Sequence, residues 1–181
     1  MATINQVIEE VAGVLHNCKM QEYDNLVDLL RQDVRFFFTG EGRSGLVAKM
    51  IAMRLMHSGK RVFVTGETTT PSIRKGDALI VITGSGSTPS IVHVCKSASQ
   101  QDAYVFAVTT NAELYKESWC DGILHVPAAT KQRAHNEPPT IQPLGNQFDQ
   151  SVHLLLDAAI IDSLSEGHTH ESLRTQHTNL E

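Results

Sequence analysis

The chain lacks several features that would point quickly to a function. Its three cysteines, Cys18, Cys95 and Cys120, are odd in number, far apart and free of any CxxC spacing, which excludes a disulfide framework and a zinc site and leaves three reduced thiols. Basic runs are also missing: 15 Lys and Arg stand against 20 Asp and Glu, a formal charge of −5, with an isoelectric point near 6.0. Nucleic acid and anionic membrane are therefore not expected as partners. The longest apolar stretches, such as residues 154–161, fall well short of the roughly 18–20 residues of a membrane span. Met1, Ala2, Thr3, Ile4 and Asn5 form neither a basic n-region nor an apolar h-region, so no secretory signal is expected and the cytoplasm is the expected compartment. There is no internal repeat and no low-complexity tract.

What is present is ordinary globular material. The 181 residues, 41% apolar and 19% charged, suffice for one core, and a single domain spanning 1–181 is expected. From Ile4 to Leu30 the apolar residues Ile4, Val7, Ile8, Val11, Val14 and Leu15, then Tyr23, Leu26, Val27 and Leu30, recur at helical spacing, predicting one or two amphipathic helices over about 3–31. Five short apolar segments follow, at 34–39, 61–65, 78–83, 104–109 and 123–126, each closed by Gly, Ser, Thr or Pro, as buried strands are. Helix-like patterns at 44–57, 89–97 and 112–119 fill three of the gaps. Strand and helix alternating at this length predict parallel strands with right-handed crossovers, a doubly wound α/β sheet. Residues 66–77, with Thr68, Thr69, Thr70 and Pro71, read as an irregular connection. Residues 130–145 carry Pro138, Pro139 and Pro143, which forbid regular structure over much of a loop long enough to suggest a functional lid. A nearly all-apolar helix is predicted over about 147–164, then a polar tail to 181 with His168, His170 and His177.

Open α/β sheets bind ligands where strands end and helices begin, because the first helical amides are unpaired and the helix dipole favours an anion. Two such points are loaded with special residues. After the first strand stand Gly40, Glu41, Gly42, Arg43, Ser44 and Gly45; after the third stand Thr83, Gly84, Ser85, Gly86, Ser87 and Thr88. Glycines let backbone approach a ligand, and hydroxyls add neutral donors that wrap a phosphate without lysine or metal. The plain alternative is that such residues make turns. The first loop also fits G-x-G-x-x-G, with Glu67 after the second strand where a ribose-binding acid could sit, so a dinucleotide site is the rival. Against it, Arg43 and Ser44 put polar side chains inside the loop and no residues remain for a catalytic domain. Neither loop continues as Gly-Lys-Ser or Gly-Lys-Thr, which excludes a P-loop.

Chemistry also needs an acid or base. Asp149 follows Asn146, Gln147 and Phe148 at the start of the apolar helix; it is a candidate base, or equally a capping carboxylate three residues after an Asn N-cap. His177 reads as a tail histidine with a possible proton-transfer role. His168 and His170 lack a third metal ligand. His57 complements a helix C-terminus, and Arg43 either orients substrate or pairs with Glu41 or Glu67. Met50, Met53 and Met56 read as core packing.

These segments together, Gly40-Glu-Gly-Arg-Ser-Gly45, Met53-Arg-Leu-Met-His57, Gly66-Glu-Thr-Thr-Thr-Pro71, Thr83-Gly-Ser-Gly-Ser-Thr88, the Pro-Leu-Gly before the last helix and the tail His177-Thr-Asn-Leu180, resemble the 6-phospho-3-hexuloisomerase family of sugar isomerase (SIS) domain proteins. The resemblance implies a flavodoxin-like five-stranded parallel sheet flanked by helices, a homotetramer with active sites near subunit interfaces, and no metal or organic cofactor. It also implies a phosphorylated hexulose as substrate: D-arabino-3-hexulose 6-phosphate interconverted with fructose 6-phosphate, one half of formaldehyde fixation through ribulose monophosphate. The family's proposed base, a Glu after Phe, falls on Asp149 here, one methylene shorter, and Asn146 stands where Thr is usual; its proposed partner acid falls on His177.

Moving a carbonyl between C2 and C3 removes a proton α to a carbonyl and returns it to the neighbouring carbon through an enediolate. On this reading Ser44, Thr83, Gly84, Ser85, Gly86, Ser87 and Thr88 hold phosphate and sugar, and Asp149 shuttles the carbon-bound proton. His177, from the same or a neighbouring subunit, handles the oxygen proton, while Arg43 and Glu67 orient hydroxyls. The alternatives are an aldose-ketose isomerase of another sugar phosphate and a sugar-phosphate-binding module without turnover.

Overall fold

A computed structural model describes residues 1–165 and 167–180; Glu166 and Glu181 of the expected tail lie outside the described residues. The chain runs α1 (Ala2–His16), α2 (Met20–Arg31), β1 (Arg35–Gly40), α3 (Gly42–His57), β2 (Arg61–Val64), β3 (Ala78–Thr83), α4 (Pro89–Ser99), β4 (Tyr104–Thr109), a 3-10 helix (Ala112–Lys116), β5 (Gly122–His125), α5 (Asn146–Ser163) and α6 (His170–Thr175). The five strands pair in the order β2-β1-β3-β4-β5, and every pairing is parallel. β3 is buried at all six positions, as a central strand covered on both faces must be, which is why its sequence is a continuous apolar run.

Side-chain alternation along the strands feeds two cores. Phe36, Phe38, Ile80, Ile82, Phe106 and Val108 point to the face covered by α2, α3 and α5. Phe37, Leu79, Val81, Val105 and Ala107 point to the other face, beneath α4, Leu114 and Trp119. Cys95 is buried in this second core, and burial, followed by the nearby Cys120, pushes its thiol up to about 12. Cys18, Cys95 and Cys120 are all unpaired, and a thiol so far from ionisation is an inert packing group.

Three details depart from expectation. The helix-like pattern at 112–119 forms only the five-residue 3-10 helix. Leu114 and Trp119 are both buried in the same core, yet five residues apart they would lie about 140° apart on an α-helix. Ending the helix at Lys116 lets Trp119 turn inward. Met50, Met53 and Met56 are not core residues: they are 39%, 48% and 37% exposed. The buried face of α3 is Val47, Ala48, Ile51, Ala52 and Leu55, so this helix is apolar on more than the side it packs. The polar tail, for which no helix was expected, contains the short α6, opened by a Thr169–Ser172 capping box.

Candidate active site

β1 and β3 are neighbours, but the chain leaves them towards opposite faces, β1 into α3 and β3 into α4. The connections separate there and leave a crevice beyond the strand ends, the usual ligand position in an open α/β sheet. On the β1 side, strand and helix touch through glycine. A Cβ on Gly40 would lie 2.9 Å from Gly45 N, and one on Gly45 would lie 2.7 Å from Gly40 O. This contact allows α3 to start at once, with Arg43 and Ser44 in its first turn. Glu41 ties that turn across the crevice, its Oε1 accepting from Ser90 Oγ of α4 at 2.8 Å.

The second loop is built from hydroxyls. Thr83 Oγ1 accepts from Gly86 N at 3.2 Å, and Ser85 Oγ accepts from Ser87 N at 3.3 Å and Ser87 Oγ at 3.1 Å. Gly86 sits at φ 70°, and a Cβ there would meet Leu114 at 2.5 Å, so only glycine fits. The end of β4 supports the loop from below: Thr109 and Thr110 hydroxyls donate to Gly84 O at 3.0 and 2.8 Å, and Asn111 Nδ2 donates to Ser85 O at 3.2 Å. Thr88 occupies the N-cap of α4 without bonding its own helix, so its hydroxyl is open to the crevice.

Asp149 comes from the first turns of α5. Gly145, not Asn146, is the N-cap of that helix, and no side chain caps it; Asn146 instead donates to Gln142 Oε1 at 3.4 Å. In the same first turn Gln147 reaches back to accept from Ala129 N at 2.8 Å. The capping role considered for Asp149 is thus not what its carboxylate does. It accepts from Arg43 Nε at 2.8 Å through Oδ2 and from Ser44 Oγ at 3.1 Å through Oδ1. Its side chain is 8% exposed while that of Arg43 is 59% exposed. The result is a shielded carboxylate, pinned through both oxygens, at the wall of a polar crevice of about 340 Å³.

Of the sequence-predicted substrate residues, Arg43, Ser44, Thr83, Gly84, Ser85 and Thr88 line this crevice with Asp149. Gly86 and Ser87 shape the loop behind it. Glu67 lies elsewhere, beside Met53, Met56, Thr69 and Thr70, its carboxylate 3.2 Å from Lys49 Nζ. His177 is also not with Asp149: its ring stacks on His57, centroids 5.1 Å apart, at the far end of α3, roughly 20 Å along the helix from Arg43. Sequence reasoning missed Glu41, Thr110 and Lys131, which also line the crevice; the position of Lys131 in the loop that follows β5 was the available signal. A second, apolar groove of about 650 Å³ runs between α1, α3 and α5, lined by Ile4, Ile8, Leu46, Met50 and Leu154, and shares Arg43 and Asp149 with the crevice.

Among the described residues no group of three His, Cys, Asp or Glu side chains is placed to hold a metal ion, and no helix is long and apolar enough to cross a membrane.

A parallel sheet in this order, with its ligand crevice at the β1/β3 switch, places the chain in the flavodoxin-like class of α/β domains. The SIS domain family model matches residues 29–140, and the chain belongs to that family. It is 36% identical to the 3-hexulose-6-phosphate isomerase of Bacillus subtilis (strain 168), over 97% of this chain and 98% of that one. To the 3-hexulose-6-phosphate isomerase of Mycobacterium gastri it is 38% identical, over 98% and 89% of the two chains. A solved structure of a hypothetical Methanococcus jannaschii protein, for which a 3-hexulose-6-phosphate isomerase function was inferred, superposes with a TM-score of 0.82 at 27% identity, covering 100% of both chains.

Proposed function

We propose that this chain interconverts D-arabino-3-hexulose 6-phosphate and fructose 6-phosphate through an enediolate. The observation that carries the reading is the buried Asp149 carboxylate, pinned by Arg43 and Ser44 beside the Thr83–Gly84–Ser85 hydroxyl loop. The loop and the first turn of α4 hold the phosphate with neutral donors. Asp149 takes the proton from C3 of fructose 6-phosphate and delivers it to C2, while the fixed geometry keeps the carboxylate within reach of both carbons. Full-length similarity to two relatives named for this reaction supports the choice of substrate.

The reading extends to a homo-oligomer, a tetramer in its finer form, working in the cytoplasm. The apolar groove between α1, α3 and α5 is covered in this reading by a second copy, since it borders Asp149 and His177 stacks on His57, away from the Asp149 of its own chain. A neighbour's His177 then handles the oxygen proton. The direct test replaces Asp149 by Asn and follows conversion of fructose 6-phosphate. Lost turnover with retained binding is expected; turnover equal to wild type removes Asp149 from the mechanism.

A further inference from the structure

Residues 130–145 are without helix or strand, yet side chains fix their path at every stage. Glu137 accepts from Thr130 N at 2.8 Å and Thr130 Oγ1 at 2.5 Å. Arg133 donates to Thr130 O at 2.8 Å and also to Gln142 O. Non-glycine residues Arg133 and Leu144 are held at φ 52° and 55°, a conformation that L-residues adopt only when surroundings impose it. The strongest hold comes from outside the loop. Glu10 of α1 accepts from Thr140 Oγ1 at 2.5 Å, Ile141 N at 2.9 Å and Gln142 Nε2 at 3.1 Å. Burial acts to raise the Glu10 carboxyl, but the bonds from Thr140, Ile141, Gln142 and Gln6 together leave it below its ordinary value.

This strap brings Lys131 to the crevice wall. The other cation there, Arg43, shares its charge with Asp149 through Nε and keeps only its remaining donors for a ligand, whereas Lys131 enters no ion pair among the described residues. Glu41 and Asp149 already place two carboxylates in the same crevice. The only charged group of a sugar phosphate is its phosphate, and beside two carboxylates the neutral donors of the loop hold such a dianion more tightly when an uncommitted cation adds to them. We propose that Lys131 binds the substrate's phosphate, and that Glu10 is the positioning residue that holds the strap, and with it Lys131, in place. The proposal rests on the sugar-phosphate reading above.

Isothermal titration with fructose 6-phosphate and with inorganic phosphate, alongside steady-state kinetics, tests it on the full chain. Lys131→Met weakens fructose 6-phosphate binding about 10- to 100-fold, the range of one charge-assisted contact, and raises KM in parallel with little change in kcat; Lys131→Arg restores most of the loss. Glu10→Gln gives a smaller rise in KM and faster hydrogen exchange across the strap. The double variant binds no more weakly than Lys131→Met alone, because both changes remove one interaction. Wild-type affinity in Lys131→Met overturns the assignment, as does a loss in kcat at unchanged KM. Effects of the two variants that multiply in full overturn the positioning role of Glu10. A wild type that binds fructose 6-phosphate without turnover contradicts the isomerase reading alone, and the binding comparison still decides Lys131. A wild type that binds neither ligand overturns the proposal.

Discussion

Two Arg–Asp pairs stand at opposite edges of the sheet, and they are finished differently. At the N-terminal edge, Arg35 grips Asp77 with two bonds, Nε to Oδ1 at 2.8 Å and Nη2 to Oδ2 at 2.5 Å. Arg74 N adds a bond to the same carboxylate at 2.8 Å, Ser72 O accepts from Arg35 at 3.1 Å, and the guanidinium lies over Phe37 and Phe63. The side chains are 13% and 5% exposed. At the C-terminal edge, Arg43 gives Asp149 a single bond and leaves most of its guanidinium in solvent. The first pair is buried, gripped through two guanidinium nitrogens, and closes the bottom of the fold. The second holds a carboxylate in place while leaving donors free for a ligand.

Substitutions on each pair should separate these roles. Asp149→Asn is expected to lower turnover by about 10² to 10⁴, the usual worth of a positioned general base, with thermal stability close to wild type. Asp77→Asn should do the reverse: leaving Arg35 buried with half its partner costs roughly 3 kcal/mol, read as a lowered denaturation midpoint, with KM and kcat of the folded fraction unchanged. Loss of activity per folded molecule in Asp77→Asn would erase the distinction between the pairs. Gly45→Ala tests the backbone beneath Arg43; with its Cβ 2.7 Å from Gly40 O, it should cost about 1–3 kcal/mol and raise KM as well, by displacing the first turn of α3.

The smallest expected effect is at the N-terminal edge, where His177 stacks on His57. Burial first, then His177 and Arg54, lower the His57 pKa below its ordinary 6.5. A histidine held below its unfolded value stabilises the docked tail above that value and loses the contribution as pH falls through the folded one. The protection of α6 amides, measured against their intrinsic exchange rate at each pH, should therefore fall between neutral pH and about pH 5, while that of β3 stays unchanged.

Much of this was legible in the sequence because it depends on local pattern. β3 and β4 match the apolar runs at 78–83 and 104–109 residue for residue, and the irregular connection at 66–77 followed from its lack of period. The glycine and hydroxyl loops were legible because conformational freedom and donor chemistry belong to residue types. The rest required tertiary contacts. Nothing local distinguishes a capping Asp149 from one held by Arg43 across 106 positions, and the strap's anchor on Glu10 spans 130. Met50, Met53 and Met56 misled because helical periodicity shows that a face is apolar, not whether the same chain covers it.

Proton NMR of fructose 6-phosphate in D₂O with the purified protein is the most direct measurement, since α-proton exchange reports enediolate formation even when equilibrium hides net conversion. Deuterium at C3, absent with Asp149→Asn, is the predicted result. Deuterium at C1, or none with fructose 6-phosphate still bound, would contradict 3-hexulose 6-phosphate isomerisation.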